Sequence, residues 1–544
     1  MSEMRINTRV RKLFHYLEDF ERGKIRIPVF QRDFEWEKKH KIALLDSIKK
    51  GYPIGCLFFW RPDRKLENPI NEDEEIYQIG AYELPREEEE HFYILDGYQR
   101  LSTLFGCLVN PDTTLLKRIE EEWRKEFNLV YDLKNDKIES LDKDNDDIYK
   151  IPFYELAGGE SFFDFQERLI QEKISKEEVS LYNRRYRDFS KKLFAYDIPS
   201  IELTGGELRE AIDVFIRLNS TGIKIDDDWI LSALTYNREQ NFRYGTEITA
   251  LANEVKQYGF NYPYIKKIAY QTVLGAFGTP YFDQKSKEVS RQLRELTSKP
   301  NFIENTRNAL KGLYNAILFL NKELLVLEKK LLPYNGQLLF LTEFFREHQN
   351  INEEQCEQLK YWFWKTTYTN YFTENNLAGQ RKAFYEFKKY IIIDKERAIY
   401  QSSKIDYFKT IEFPNKVNLG SARANALVLF MLNYQVAKLN IKKEGLKYSY
   451  YSLFTLPENT DKEKSFENMI YVVPKDYKVS KRKHKDLSHW LDSKEDHSAF
   501  FVTQEMKEAY RNGTSKEEIL EMRRTLIMQE EKKKVKELGI MYTE

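Results

Sequence analysis

Asp96, Gly97, Gln99, Arg100, Ser102 and Thr103 crowd one short stretch that reads as the junction of a strand and a helix. The apolar run Tyr93-Ile94-Leu95 ends in Asp-Gly. Leu101, Leu104, Phe105 and Leu108 then follow at the i, i+3, i+4, i+7 spacing of a buried helical stripe. A helix N-terminus offers backbone N–H groups to an anion, and glycine lets the backbone come close to one. Arg100 and Thr103, three apart, share a helical face and can both reach a phosphate oxygen. The segment predicts a phosphate cradle. It is not a P-loop, because no Gly-Lys-Ser/Thr follows a glycine-rich loop.

Two further elements carry groups of the same kind. Arg26 to Trp36 reads as a Pro-stiffened extended segment with Gln31 and Arg32 set between bulky aromatics. A helix is predicted after it, from about Lys38 to Lys50, with Ile42, Leu45 and Ile48 facing inward and Gly51 as its stop. Pro53 to Trp60 reads as a buried strand. Farther on, Phe215 to Ile225 holds an amphipathic helix ending in Asn219-Ser220-Thr221-Gly222, and Asp226 to Asp228 suit the cap of the next helix.

In this order the segments IPVFQRDFEW, DGYQRLSTL and FIRLNSTGIKI resemble the GmrSD-type family of bacterial defence proteins. The N-terminal domain of that family is related to the ParB and sulfiredoxin fold. The resemblance covers about residues 10 to 240, and one position departs: the first Gln of the family's DGQQR is Tyr98 here. An isolated Asp-Gly would be only a tight turn, with Arg100 pairing a nearby carboxylate. Three motifs agreeing in order and spacing favour a site.

The resemblance implies a nucleotide triphosphate with Mg²⁺ as cofactor and DNA, foreign or modified, as partner. Carried over position by position, Asp96, Gln99 and Arg100 are the catalytic candidates, and Asp96 is the metal candidate. Gln31, Arg32, Gly97, Ser102 and Thr103 are the nucleotide-binding ones, with Arg217 and Asn219 near the rim of the pocket. Arg32 and Arg100 would neutralise charge on phosphate. Asp96 would hold Mg²⁺ or orient the attacking water, and Gln99 would position that water without titrating. In a ParB-like fold the guanidinium groups of Arg32 and Arg100 share one cleft with Asp96, with a carboxylate, an anion or water between them.

Composition bounds the rest. A chain of 544 residues is too long for a single core, and two or three domains are expected. Lys plus Arg and Asp plus Glu number 87 each, so any pull on nucleic acid must be local. Cys56, Cys107 and Cys356 lie far apart, which indicates neither a disulfide framework nor a zinc site. With no apolar signal core and no run of transmembrane length, a soluble cytoplasmic protein with no membrane contact is expected.

The fold class expected is α+β. A ParB/sulfiredoxin-like mixed domain fills residues 1–240, a helical domain 241–400, and a helical C-terminal domain 401–544. Within the first, Phe127 to Leu133 and Ile198 to Leu203 read as strands, and 176–195 as a long basic helix carrying Arg184, Arg185 and Arg187. In the others, Leu310 to Leu332, the aromatic stretch Leu359 to Tyr368 and Ser421 to Leu439 read as core helices.

Many relatives end in an HNH-type nuclease module with a His before its Ile-Phe-Pro-like segment. The matching stretch here, Tyr450 to Pro457 and then Phe466 to Pro474, has no such His. His484, His489 and His497 come too late for the pattern, and the spacing of the first two suits no helical metal pair, so they read as solvated. The module is expected to be degenerate and inactive as an HNH nuclease. Lys481, Arg482, Lys483 and Lys485 form a basic patch that can track a DNA backbone. The terminal helix, with Arg523, Arg524 and Lys532 to Lys534 among glutamates, reads as a solvated face.

Three functions are compatible with these features. One is an anti-phage enzyme whose N-terminal domain binds and hydrolyses a nucleotide. The second is a non-catalytic nucleotide- or DNA-gated sensor that recruits a separate effector, as a homo-oligomer or with a partner subunit. The third is a nuclease with its active site in the N-terminal domain.

Overall fold

The computed structural model describes residues 4–543 except 29–35, 63–74, 77, 80, 86–90, 115, 142–146, 159–160, 173, 207, 220–230, 233, 236–239, 241, 280–291, 293–294, 401–408, 458–461 and 474–485. The chain divides into two compact units, Met1–Gly245 and Thr246–Glu544.

The first unit runs β1 (Arg5–Lys12), α1 (Leu13–Glu21), β2 (Ile25–Pro28), α2 (Lys38–Lys50), β3 (Leu57–Arg61) and β4 (Glu75–Ile76). A short hairpin of β5 (Gln78–Ile79) and β6 (Tyr82–Glu83) leads to β7 (Phe92–Asp96), α3 (Tyr98–Leu108) and α4 (Glu120–Phe127). Next come β8 (Leu129–Asp132), β9 (Lys137–Ser140), β10 (Lys150–Pro152), α5 (Phe153–Ala157), α6 (Ser161–Gln171) and α7 (Lys176–Ala195). The unit closes with β11 (Asp197–Thr204) and α8 (Leu208–Asn219). Six strands form one mixed sheet in the order β1-β11-β3-β7-β2-β4, while β10-β8-β9 make a small antiparallel sheet.

Both faces of the main sheet are covered, which is why β3 is apolar at consecutive positions instead of alternating. Leu57 and Phe59 point to the core shared with Leu17, Leu45, Leu101 and Leu104 of α1, α2 and α3. Phe58 and Trp60 point the other way, onto Ala211, Ile212 and Phe215 of α8. α2 stops at Gly51, whose φ of 71° is the left-handed cap expected of a glycine there. β1 was not legible in the sequence. It is an edge strand paired to β11 from Arg5↔Thr204 to Lys12↔Asp197; Ile6, Thr8 and Val10 alternate with polar residues, yet Ile6 and Val10 are exposed instead of facing a core.

The second unit is mostly helical, with one two-stranded antiparallel sheet of β12 (Ser449–Ser452) and β13 (Met469–Val472). Its long helix spans Phe302–Leu324, not 310–332, because Leu325 turns left-handed (φ 58°) and ends it. The aromatic helix Glu353–Tyr368 opens on a reciprocal Asn352–Gln355 cap and buries Trp362 and Phe363. On the terminal helix Lys516–Glu537, Lys532, Lys533 and Lys536 are exposed as expected, whereas Arg523 and Glu531 are buried. Arg523 donates to the Phe466 and Phe500 carbonyls at 3.0 and 3.2 Å. Among the described residues no helix is long and apolar enough to cross a membrane.

Candidate functional site

The DGYQR segment folds as its pattern requires. β7 ends at Asp96, and Gly97 (φ 94°) turns the chain into α3, which starts with no side-chain cap on its first N–H groups. Asp96 lies opposite Phe58 of β3, where the β3–β7 register shifts between Phe58 and Phe59. Such irregularities re-aim side chains at sheet ends.

Three chain segments reach this end of the sheet. β2 runs parallel to β7, with Arg26 beside Tyr93, so Pro28 arrives at the level of the Asp96 turn, three residues before Gln31 in sequence. α8 runs back along the opposite face: the Phe215 ring lies 5.0 Å from that of Phe58, the residue paired with Asp96, at a tilt of 49°. Its last turn, with exposed Arg217, therefore comes to the same end. Gln31 and Arg32, the Asn219 side chain, and Lys481, Arg482, Lys483, Lys485 and His484 lie outside the described residues.

Arg100 does not reach into open solvent. Its Nη1 donates to the Ile54 carbonyl at 2.6 Å, and its Nη2 donates to the Cys56 carbonyl and to Asp96 Oδ2, each at 2.9 Å. The Arg100 side chain is 15% exposed and that of Asp96 39%. Arg100 therefore ties the loop before β3 to the Asp96 turn, and Asp96 presents the more accessible polar group. The group expected between Arg32 and Arg100 falls outside what is described, because Arg32 lies outside the described residues.

Two of the expected phosphate ligands are turned away from solvent. Thr103 is fully buried and its hydroxyl donates to the Gln99 carbonyl one turn back, at 2.8 Å. Ser102 is equally buried, with its hydroxyl unpaired. Arg100 and Thr103 do not share an accessible face, because α3 is packed on nearly all sides. Gln99 keeps 7% exposure. Tyr98, which replaces the family's Gln, is a core residue packed with the α1–α3 cluster.

Sequence reading missed Gly55 and the carbonyls on either side of it. The signal was the glycine in Pro53-Ile54-Gly55-Cys56, which adopts φ +91°. Burial pushes the Cys56 thiol up from its ordinary pKa, against the opposing pull of Arg100. Among the described residues no three His, Cys, Asp or Glu side chains converge as a metal cage. One carboxylate, Asp96, stands at the turn. Mg²⁺ is commonly held by one or two protein carboxylates with water and phosphate oxygens, so this donor set suits Mg²⁺ that arrives with a phosphate.

In the second unit, Asn468 is occupied by backbone. It accepts from the Phe454 N–H at 2.9 Å and donates to the Phe454 and Glu463 carbonyls at 3.1 and 3.0 Å. His497 corrects the expectation of solvated histidines. It is 1% exposed, stacks on Trp490 at 4.2 Å, and its Nδ1 lies 3.2 Å from Lys507 Nζ. Burial, then the Lys507 charge, lowers its pKa to about 4.

Residues 13–236 match the family model described as "GmrSD restriction endonuclease, N-terminal domain". An uncharacterized protein of Methanocaldococcus jannaschii is 23% identical over 410 residues, a match covering 68% of this chain and 65% of that protein. The match thus spans just under two thirds of that protein's length.

Proposed function

From the premise that the first unit is a GmrSD-type N-terminal domain, we propose that this protein binds and hydrolyses a nucleoside triphosphate at the Asp96 turn, in the service of restricting foreign or modified DNA. The observation that supports it most is the convergence of β2, the β7–α3 turn and the end of α8 on one end of one sheet. These are the three segments whose motifs carry the polar groups.

In this reading Gly97 and the uncapped first turn of α3 receive phosphate oxygens, since a helix N-terminus favours negative charge. Asp96 orients the water that attacks the terminal phosphorus, and Gln99 holds that water without titrating. Mg²⁺ held by Asp96 and phosphate would neutralise charge growing on the leaving oxygen. Gln31 and Arg32 follow β2 closely in sequence and are the further nucleotide-binding candidates. Lys481, Arg482, Lys483 and Lys485 would add a DNA-backbone contact.

A second reading is favoured by Arg100. Its guanidinium is already bonded to two carbonyls and Asp96, which suits a site that senses a nucleotide more than one that neutralises a transition state. Phosphate release from ATP and GTP, with and without DNA, separates the two. Turnover abolished by Asp96→Asn supports the hydrolase. Tight nucleotide binding with no turnover supports the sensor.

A further inference from the structure

We propose that Gly55 is a positioning residue for the Asp96 site, because its missing side chain is the space the Arg100 guanidinium occupies. A Cβ at Gly55 would lie 2.4 Å from Arg100 Nη1 and 3.4 Å from Cζ. The φ of +91° excludes other residues on backbone grounds as well. Gly55 sits between the two carbonyls, Ile54 and Cys56, that the guanidinium holds. Nη2 is shared between the Cys56 carbonyl and Asp96 Oδ2, so moving the guanidinium off Gly55 releases the carboxylate as well. Gly97 brackets the same group from the other side, where a Cβ would come 3.3 Å from Nη2 and 2.3 Å from Leu57 Cδ2. The Pro-Ile-Gly-Cys loop thus determines where Asp96 points. The inference rests on Asp96 being the working carboxylate of the proposed hydrolase.

Gly51 supplies the control. Its φ of +71° also lies in the left-handed region, yet a Cβ there meets nothing within 4 Å. Gly51→Ala and Gly55→Ala therefore both place a side chain at positive φ and differ in the clash. Arg100→Lys keeps the charge and loses the planar fork, and it stands in if Gly55→Ala does not fold.

The experiment measures kcat and KM for nucleoside triphosphate hydrolysis in the full chain, together with the rate of Cys56 alkylation read by mass spectrometry. Gly55→Ala and Arg100→Lys are expected to lower kcat by about tenfold or more while KM stays within about twofold, as misplacing a reacting group does. Both should change the rate of Cys56 alkylation by about twofold or more, since the guanidinium is bonded to the Cys56 carbonyl and its charge favours the thiolate. Gly51→Ala should leave both readouts as in wild type. Gly55→Ala matching Gly51→Ala in either readout would overturn the positioning role. Wild-type protein without turnover would sink the hydrolase reading instead, and the alkylation contrast would then decide the clamp alone.

Discussion

Arg423 meets Glu531 through two parallel hydrogen bonds of 2.7 Å, with both side chains buried in the second unit. Tyr368 and Tyr542 also donate to this carboxylate, at 3.2 and 2.8 Å, and Arg423 Nε donates to the Ile411 carbonyl. The pair joins the helix Ala422–Lys438 to the terminal helix. Removing one partner of a buried pair leaves an uncompensated charge, whereas replacing both with apolar residues is often neutral. Glu531→Ala is expected to destabilise the protein by about 3–5 kcal/mol, and Arg423→Met with Glu531→Leu to recover most of that loss. Urea unfolding curves of the single and double variants test it.

His497 predicts an acid sensitivity. Its pKa falls from 6.5 to about 4 on folding, so between those values the unfolded chain binds the extra proton and the native state does not. Its contribution is whole above pH 6.5 and is lost as pH falls toward 4. The full swing is roughly 3 kcal/mol. His497→Gln should flatten this part of the melting temperature against pH. An unchanged slope would show that other groups carry it.

Asp96 and Arg100 should separate on mutation. Asp96→Asn keeps the shape of the turn and should abolish nucleotide turnover with little change in melting temperature. Arg100→Ala frees two carbonyls and should also cost about 1–3 kcal/mol of stability. Turnover and thermal melts of the two variants side by side check the division.

Thr103 gives the opposite expectation from its motif position. Its hydroxyl serves its own helix and faces no solvent. Thr103→Val should keep turnover within about twofold and cost about 1 kcal/mol. A large rise in KM for the nucleotide would restore Thr103 as a ligand.

The basic patch makes a salt-dependent claim. Replacing Lys481, Arg482, Lys483 and Lys485 with Ala should weaken DNA binding and reduce its salt dependence by a slope of up to about 3.6, roughly 0.9 for each phosphate no longer neutralised. Affinity and slope unchanged across a salt series would remove the patch from the DNA interface.

The strand–turn–helix at Asp96 was legible because its signals are local. The apolar run, the Asp-Gly stop and the i, i+3, i+4, i+7 stripe lie within one stretch, and α3 buries Leu101, Leu104, Phe105 and Leu108 as that spacing demands. The same holds for α2 with its Gly51 cap and for α7 at Lys176–Ala195. Burial of the remaining faces was not local. α3 is enclosed by α1, α2, α4 and α5, so Thr103 and Ser102 went inward although the motif placed them with the ligands. β1 gained its place from backbone pairing with β11, nearly two hundred residues away, and its short Ile6-Thr8-Val10 alternation could not by itself name that partner. Arg100 bonds carbonyls 44 and 46 positions earlier, and a carbonyl has no sequence signature. Local spacing determined which groups stand at the turn, and only long-range packing decided which of them face outward.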